Sequence, residues 1–388
     1  MPSLAAVGSR NRALWAASAC SEKVNCVEDF LFRSVIVMKR NRIKWMIAVA
    51  QITVLAVAEP ALSATGKVYV ADEEANTVSV IDGASFKKTG SIPVGQGPHN
   101  VQVAPDGKWL WVTNNGEPGK PDEKMPSAKM PKSGNGVMAS AGPGAVWAID
   151  TTTDKVVGKV PVGMHPAHVV VTPDGRHAYV TNGGANSVSV VDISALRVVE
   201  TIPVGTSPHG MRISPDGRQA WVANLKGGTV SVIDTASRKE IAQLPVGKGP
   251  AQVGFTPDGR LGFVSLSQEN RVAVIDPASR RVIRKVTVGT VPIQLYATLD
   301  SRLLLVANQG TPKKPGKTVS FIDLGTFKVV ATIETGLGAH GVVVDRDGRR
   351  AFVTNTYANT VSVIDVAERK VIATVPVGKG PNGISTTP

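Results

Sequence analysis

A five-residue motif of the form VSVID recurs seven times, and its spacing constrains the fold more than any other feature of this chain. Successive copies are separated by 68, 42, 42, 42, 47 and 42 residues, and they close at Asp82, Asp150, Asp192, Asp234, Asp276, Asp323 and Asp365. The period is therefore 42 residues, with one insertion of 26 (about residues 116–143) and one of five. A fixed period of this length indicates a repeat architecture in which each copy is one supersecondary unit.

Each repeat contains four short runs rich in β-branched residues. In one repeat these are residues 169–171, 179–182 and 188–192, and a run that ends in the sequence IPVG at Gly205. Turn residues bound the runs, such as the Pro-Asp-Gly sequence at residues 173–175. Four antiparallel strands per 42 residues are typical of a β-propeller blade, so the sequence predicts an all-β propeller of seven blades.

The two ends of the repeat region predict how the ring closes. The region starts at the second run of a repeat, residues 67–71, and ends at the first run of a repeat, residues 382–386. The C-terminal strand is therefore predicted to join the N-terminal blade, which hides both edges of the ring. We expect one propeller domain over residues 65–388.

The residues before this domain predict export. Residues 38–64 have the features of a Sec-type bacterial signal peptide: a basic start, an apolar stretch over residues 45–58, and small residues before cleavage after Ala58 or Ala64. Residues 1–37 are interpreted as an overlong gene-start extension. Both cysteines, Cys20 and Cys26, precede the propeller. The expected location is periplasmic or secreted, without stable membrane insertion after signal cleavage.

The repeat consensus is similar to that of a known family. The copy with the clearest motifs reads YVTN at residues 179–182, NSVSVVD at residues 186–192, IPVG at residues 202–205 and PDG at residues 215–217. This pattern resembles the YVTN family of bacterial β-propeller repeats over nearly all of residues 66–388. The resemblance implies an exported protein in a functionally diverse family. The family is distantly similar to the haem-carrying propeller of dissimilatory nitrite reductase and to propeller lactonases.

Five of the six histidines are predicted to lie at the mouth of the central channel on one face of the ring. The first strand of each blade lines the channel, and the connection that precedes it emerges on that face. The histidines in or beside this connection are His99, His165, His168, His209 and His340. These five are the predicted ligand-binding residues of the rim.

Several methionines are predicted to lie on the same face. Met164 precedes His165, and the long insertion contains Met125, Met130 and Met138. Neutral imidazole binds copper, zinc, iron and nickel, and thioether sulfur favours Cu(I). The sequence therefore suggests a metal site drawn from His165, His168, Met164, Met125, Met130 and Met138, with copper or non-covalent haem as its cofactor. The absence of a CxxCH sequence excludes covalent c-type haem. A structural role of these side chains in the repeat is the alternative.

The net charge of +13 at pH 7 favours an anionic ligand or an acidic partner. Lysines predicted on the histidine face are Lys120, Lys124, Lys129, Lys132, Lys248, Lys313, Lys314, Lys317 and Lys379. Nucleic acid is not expected, because no basic and aromatic pattern accompanies the charge.

Three functions stay open at this point. The leading hypothesis is a non-enzymatic, monomeric binding scaffold that holds a protein partner or a small anionic ligand on the histidine- and lysine-bearing face. The second is a metal- or haem-binding protein associated with redox chemistry. The third is a propeller lactonase or lyase with a rim histidine as general base. The sequence contains no GxSxG elbow, P-loop or HExxH motif.

Overall fold

The computed structural model describes residues 66–116 and 143–388, which form seven four-stranded antiparallel sheets. Blade 1 consists of β1 (Lys67–Asp72), β2 (Thr77–Asp82), β3 (Lys87–Pro93) and the C-terminal β28 (Pro381–Thr386). Blade 2 consists of β4 (Pro98–Val103), β5 (Trp109–Asn114), β6 (Ala145–Asp150) and β7 (Lys155–Pro161). Blade 3 consists of β8 (Pro166–Val171), β9 (His177–Asn182), β10 (Ser187–Asp192) and β11 (Arg197–Pro203). Blade 4 consists of β12 (Pro208–Ile213), β13 (Gln219–Asn224), β14 (Thr229–Asp234) and β15 (Lys239–Pro245).

The remaining blades follow the same order. Blade 5 consists of β16 (Pro250–Phe255), β17 (Gly262–Leu266), β18 (Arg271–Asp276) and β19 (Arg281–Thr287). Blade 6 consists of β20 (Pro292–Ala297), β21 (Leu303–Thr311), β22 (Lys314–Asp323) and β23 (Lys328–Glu334). Blade 7 consists of β24 (Ala339–Val344), β25 (Arg350–Asn355), β26 (Thr360–Asp365) and β27 (Lys370–Pro376). The predicted seven-bladed, all-β architecture is confirmed.

The burial of each strand follows its place in the blade. The third strand of a blade, such as β14 with the sequence TVSVID, is buried at its four central positions because neighbouring blades cover both of its faces. The outermost strand, such as β15, alternates exposed and partly buried residues. This is why the VSVID motif is nearly continuous in apolar and small residues, whereas the outer strand alternates.

The first strands of the blades form the inner ring. Each of β4, β8, β12, β16, β20, β24 and β28 contacts the next, and β28 contacts β4, so the ring closes. The strand β28 pairs with β1 through Val68 opposite Thr386 and Tyr69 opposite Ser385. The C-terminal strand therefore completes the N-terminal blade, as the two ends of the repeat region predict.

The asparagine of YVTN meets the glycine that follows the outer strand of the preceding blade. Asn182 is fully buried; its Oδ1 accepts the Gly163 N–H at 3.0 Å, and its Nδ2 donates to Ser187 Oγ at 3.1 Å and Ser189 Oγ at 2.9 Å. A Cβ at Gly163 would lie 2.6 Å from Asn182 Cγ, so the position accommodates no larger residue. The two motifs thus recur together because they form one packed, hydrogen-bonded contact.

The turn between the first and second strands uses a hydroxyl group in blades 3 to 6. In blade 5, Thr256 Oγ1 donates to Asp258 Oδ1 at 2.6 Å and accepts the Leu261 N–H at 3.1 Å. Blade 7 has Asp345 at this position, and its Oδ1 accepts the Arg350 N–H. Burial and a hydrogen bond to Asp347 raise the pKa of Asp345 to about 6. Asp345 reproduces the hydroxyl donor of the other blades while it is protonated.

Replacing Asp345 with threonine is expected to stabilise the protein at pH 8 and to have little effect at pH 4. The folded pKa of Asp345 is raised, so the native state binds its proton more tightly than the unfolded state, and stability falls as pH rises from about 4 to 6. Allowing for solvent screening, the gain at pH 8 is about 1 kcal/mol. Thermal unfolding of Asp345→Thr and wild type at both pH values measures it, with Ser214→Thr as the control that already has a hydroxyl. An equal change at both pH values would contradict this account.

The interpretations of residues 1–37 and of the signal peptide concern residues outside the described ranges. Most of the 26-residue insertion also lies outside them. The five-residue insertion of blade 6 lengthens the hairpin of β21 and β22. In the described ranges, no helix is long and apolar enough to cross a membrane.

Candidate functional site

Each inner strand contains a β-bulge at its second and third residues. In blade 2, Pro98 lies opposite Asn114 and Val101 opposite Val112, so three steps along β4 match two along β5. The same shift occurs in the inner strand of every other blade. A bulge interrupts the side-chain alternation of a strand and redirects residues, and it is common beside functional sites.

The bulges bring three histidines together at the mouth of the channel. His99 and His209 are the second residues of β4 and β12, and His168 is the third residue of β8. The ring centroids are 5.1 Å apart for His99 and His209, 5.1 Å for His168 and His209, and 6.0 Å for His99 and His168. One nitrogen from each of the three rings lies within 4.8 Å of the others.

The threonine of YVTN fixes the backbone of this cluster. Thr181 Oγ1 accepts the backbone N–H of His168 at 2.9 Å and donates to the backbone carbonyl of His209 at 2.7 Å. In blade 2, Thr113 Oγ1 likewise accepts the Asn100 N–H and donates to the carbonyl of Ala167. Each of these threonines therefore joins the bulge of its own blade to the inner strand of the next.

A fourth histidine lies at the edge of the cluster. The ring of His340, from blade 7, is 6.4 Å from that of His99. His340 is 5% exposed, and its Nδ1 has no hydrogen-bond partner among the described residues. Burial lowers the pKa of His340 to about 3. His340 thus reaches the cluster past blade 1, where the corresponding residue is Asn382.

Hydrogen bonds orient the His99 and His209 rings toward each other. His209 Nδ1 donates to the carbonyl of Ala251 at 2.9 Å, which leaves the lone pair of its Nε2 free in the neutral ring. His99 Nε2 lies 3.2 Å from His209 Nε2. His99 Nδ1 lies 3.1 Å from Asn382 Nδ2 and 3.5 Å from Glu73 Oε2. The Nδ1 of each ring is engaged, and the two Nε2 atoms face each other.

Glu73 is the carboxylate of this site. It follows β1, and its Oε2 accepts a short hydrogen bond from Asn382 Nδ2. Burial alone would raise the pKa of Glu73, but its interactions with His99 and Asn382 outweigh burial and lower the pKa to about 2. Glu73 therefore supplies one negative charge beside the His99 ring.

Burial keeps two of the clustered imidazoles neutral. It lowers the pKa of His168 well below the usual range of histidine, and burial together with His99 lowers the pKa of His209 to about 4. His168 is 1% exposed, and neither of its ring nitrogens has a hydrogen-bond partner among the described residues. Neutral imidazoles are the form that binds metal ions.

The structure places His165 outside the cluster, with Met164 beside it near Gly184, whereas the sequence grouped both with His168. His165 is exposed and has φ 49°, and the residue before each of the other inner strands also has positive φ. His165 therefore occupies a left-handed turn position of the repeat, and its side chain is not among the converging imidazoles. Met125, Met130 and Met138 lie outside the described residues.

Sequence reasoning missed Glu73, Asn382 and Gln252 of the channel mouth. Aligning the seven inner strands from Pro98 or its equivalent gives a signal for the last two. At the second or third position every blade has a polar side chain, namely Asn382, His99 and Asn100, His168, His209, Gln252, Gln294 and His340. No such alignment reveals Glu73, because it reaches the site from a different connection.

A separate cleft lies between blades 2 and 3, and none of the three clustered histidines lines it. Its volume is about 670 Å³, and its lining includes Trp109, Trp111, Arg176, His177 and Leu196. His177 Nε2 is 2.9 Å from an Arg238 nitrogen. The cleft therefore offers aromatic and apolar surface rather than convergent ligating groups.

Comparison with known proteins agrees with this architecture. A family model described as a YNCE-like beta-propeller matches residues 145–260 and 300–388, which is more than half of the chain. Antigen Lp49 of Leptospira interrogans serogroup Icterohaemorrhagiae serovar copenhageni (strain Fiocruz L1-130) is 33% identical over 116 residues, covering 30% of this chain. That match spans 23% of the length of the antigen.

Two solved structures show similar folds. Hydrazine synthase of Kuenenia stuttgartiensis superposes with a TM-score of 0.60 at 26% identity, over 74% of this chain and 88% of that one. The dihydro-heme d1 dehydrogenase NirN, solved in complex with DHE, superposes with a TM-score of 0.60 at 17% identity, over 83% of this chain and 75% of that one.

Proposed function

The chain belongs to the YNCE-like β-propeller family, and on that premise we propose that it binds one transition-metal ion at the mouth of its channel. The ligands are imidazole nitrogens of His99, His168 and His209. The observation that carries the proposal is the convergence of three imidazole nitrogens within 4.8 Å of one another, each from a different blade. The leader at residues 38–64 supports export, so we propose that the ion is bound in the periplasm or outside the cell.

The distance between two of the nitrogens suits a shared ion. Two ligands of a tetrahedral ion with metal–nitrogen bonds of about 2.0–2.1 Å are about 3.3 Å apart. His99 Nε2 and His209 Nε2 are 3.2 Å apart. A nitrogen of His168 lies within 4.8 Å of the other two, so ligation by all three requires the rings to move closer together.

The hydrogen bonds around the rings also support ligation. A metal-bound histidine almost always donates its other ring N–H to a carbonyl or a carboxylate, which fixes its orientation. His209 Nδ1 donates to the Ala251 carbonyl, and His99 Nδ1 lies beside the Glu73 carboxylate. When His99 binds the ion through Nε2, its proton resides on Nδ1 and faces Glu73, and the Asn382 amide, whose Nδ2 lies 3.1 Å from Nδ1, then donates to Glu73 alone.

The third ring gains most from a bound ion. Leaving a buried polar group without a partner costs about 1–3 kcal/mol. Both nitrogens of His168 are in this condition among the described residues, and ligation satisfies one of them. This argues against a purely structural role of the cluster, because packing alone would favour an apolar side chain there.

The donor set narrows the choice of ion. Three imidazoles suit Zn²⁺, Cu²⁺, Ni²⁺ and Fe²⁺, and affinities for such sites rise to Cu²⁺ and fall again at Zn²⁺. The rings are 5.1–6.0 Å apart, so a single ion fits between their nitrogens, whereas a haem would lie outside the cluster. We therefore expect Cu²⁺ to bind more tightly than Zn²⁺.

Titration calorimetry with the chelator-stripped full-length protein tests the proposal. We expect one Zn²⁺ and, in a separate titration, one Cu²⁺ per chain, with the affinity for each falling at least about 100-fold in His209→Ala. His165→Gly is the matched control, because it removes an exposed histidine and introduces the residue that four other blades have at this turn. Equal affinities of wild type and a folded His209→Ala would overturn the proposal.

A further inference from the structure

Arg212 is a half-buried cation on the wall of the channel. It lies on the inner strand β12, three residues after His209. Partial burial of the guanidinium lowers the pKa of Arg212. Its hydrogen bond in the described structure is from Nη1 to the carbonyl of Met211, at 3.3 Å, and none of the described ion pairs includes it.

The guanidinium is therefore poorly compensated. It has five N–H donors and makes one hydrogen bond to the protein, and withdrawing a charge even partly from water is costly unless it is paired. The arginines of the turns on the opposite face differ in this respect. Arg218 of the same blade has a side chain that is 84% exposed, and it lies 4.0 Å from Asp216. Arg212 thus differs from these turn arginines, which are exposed to solvent and lie beside a carboxylate.

Two hydrogen-bonding side chains lie on the next two inner strands. Tyr296 occupies the same position of its inner strand as Arg212, two blades away, and the residue between them in blade 5 is Gly254. Gln252 is fully buried on the neighbouring β16, and its Nε2 has no partner among the described residues. A Cβ at Gly210 would overlap Gln252 Oε1, so this amide lies against β12, two residues before Arg212.

We infer that the channel beneath the histidines binds a small oxyanion, a phosphate, sulfate or carboxylate, through the Arg212 guanidinium. The planar fork of arginine matches two oxygens of such an anion. The Gln252 Nε2 amide and the Tyr296 hydroxyl supply further donors from two neighbouring inner strands. The anion provides the counter-charge that the described residues do not provide.

The oxyanion site stands on different residues from the metal site. The two sites are close, because Arg212 lies three residues after His209 on the same inner strand. The two proposals are tested separately, because the anion is added to protein from which a chelator has removed the metal. Failure of anion binding would then leave the metal proposal intact, and failure of metal binding would leave the anion proposal intact.

The experiment compares melting temperatures of the chelator-stripped full-length protein in sodium phosphate, sulfate, acetate and chloride at equal ionic strength. We expect phosphate, sulfate or acetate to raise the melting temperature above that in chloride, because a ligand that binds the native state stabilises it. Arg212→Met is expected to lower the affinity for the stabilising oxyanion at least about 10-fold, and Arg218→Met is expected to leave that affinity unchanged.

A second pair of variants keeps the test decisive should Arg212→Met not fold. Tyr296→Phe and Gln252→Leu each remove one hydrogen-bond donor and retain the guanidinium. Each is expected to lower the affinity for the oxyanion several-fold. The inference is overturned when none of the three oxyanions differs from chloride in wild type. It is also overturned when the oxyanion raises the melting temperature of Arg212→Met as much as that of Arg218→Met. Should Arg212→Met not fold, the same result in both Tyr296→Phe and Gln252→Leu overturns it.

Discussion

Deletion of residues 381–388 is expected to lower the free energy of unfolding by at least about 5 kcal/mol or to prevent folding. The deletion removes β28, which is the inner strand of blade 1 and the contact between β24 and β4. It also removes Ile384, which is 6% exposed and packs with Val70 and Phe352. Loss of one such buried side chain costs about 2–5 kcal/mol, and the unpaired edge of β1 adds to that cost.

The measurement is thermal unfolding followed by circular dichroism, and a permuted chain is its control. In the permutant, residues 381–388 are moved to directly before Gly66. Pro388 and Gly66 are already close, and the Thr387 N–H donates to the carbonyl of Lys67 at 2.9 Å. The permutant is expected to recover most of the wild-type stability, because blade 1 then has its four strands in sequence. A deleted chain that melts at the wild-type temperature would refute ring closure by β28.

Asn182→Leu is expected to cost about 3–4 kcal/mol of stability. The leucine has a similar shape, but it leaves the Gly163 N–H and the hydroxyls of Ser187 and Ser189 without the bonds that Asn182 provides. Each unsatisfied buried group costs about 1–3 kcal/mol. Chemical denaturation measures the change, with urea midpoints and slopes compared between the variant and wild type.

Blade 5 supplies the control for this substitution. There the position of Asn182 is occupied by Leu266, and the position of Ser189 by Ala273, both fully buried. In blade 5 both partners of the polar contact are therefore replaced together by apolar residues. Adding Ser189→Ala to Asn182→Leu is expected to restore about 1 kcal/mol, because it removes an orphaned hydroxyl. Strictly additive losses would show that the two side chains do not act together.

The fold could be predicted from the sequence because every level of the repeat agrees. The spacing of the closing aspartates, the alternation of the outer strand and the turn residues all indicate the same four-stranded unit. The turn function of the aspartate is visible at Asp234, whose Oδ1 accepts the Ser237 N–H at 2.7 Å. Ring closure by residues 382–386 was also predictable, because the repeat starts at its second strand.

The site was predictable in its location and not in its composition. The histidines of the connection were assigned to the channel mouth, and His99, His168, His209 and His340 do lie there. The sequence could not separate His165 from His168, because the difference depends on a positive φ at His165 and on the β-bulge that follows it in β8. The partners of the rings, such as Glu73, come from other connections. The charge of Arg212 on an inner strand becomes visible when the inner strands of all blades are aligned.

X-ray absorption spectroscopy of the copper-loaded and zinc-loaded full-length protein identifies the ligands of the bound ion. We expect three nitrogen ligands at about 2.0–2.1 Å with the multiple-scattering signature of imidazole, reduced to two in His209→Ala and unchanged in His165→Gly. A first shell of oxygen ligands without imidazole, or a spectrum that His209→Ala leaves unaltered, would contradict this expectation.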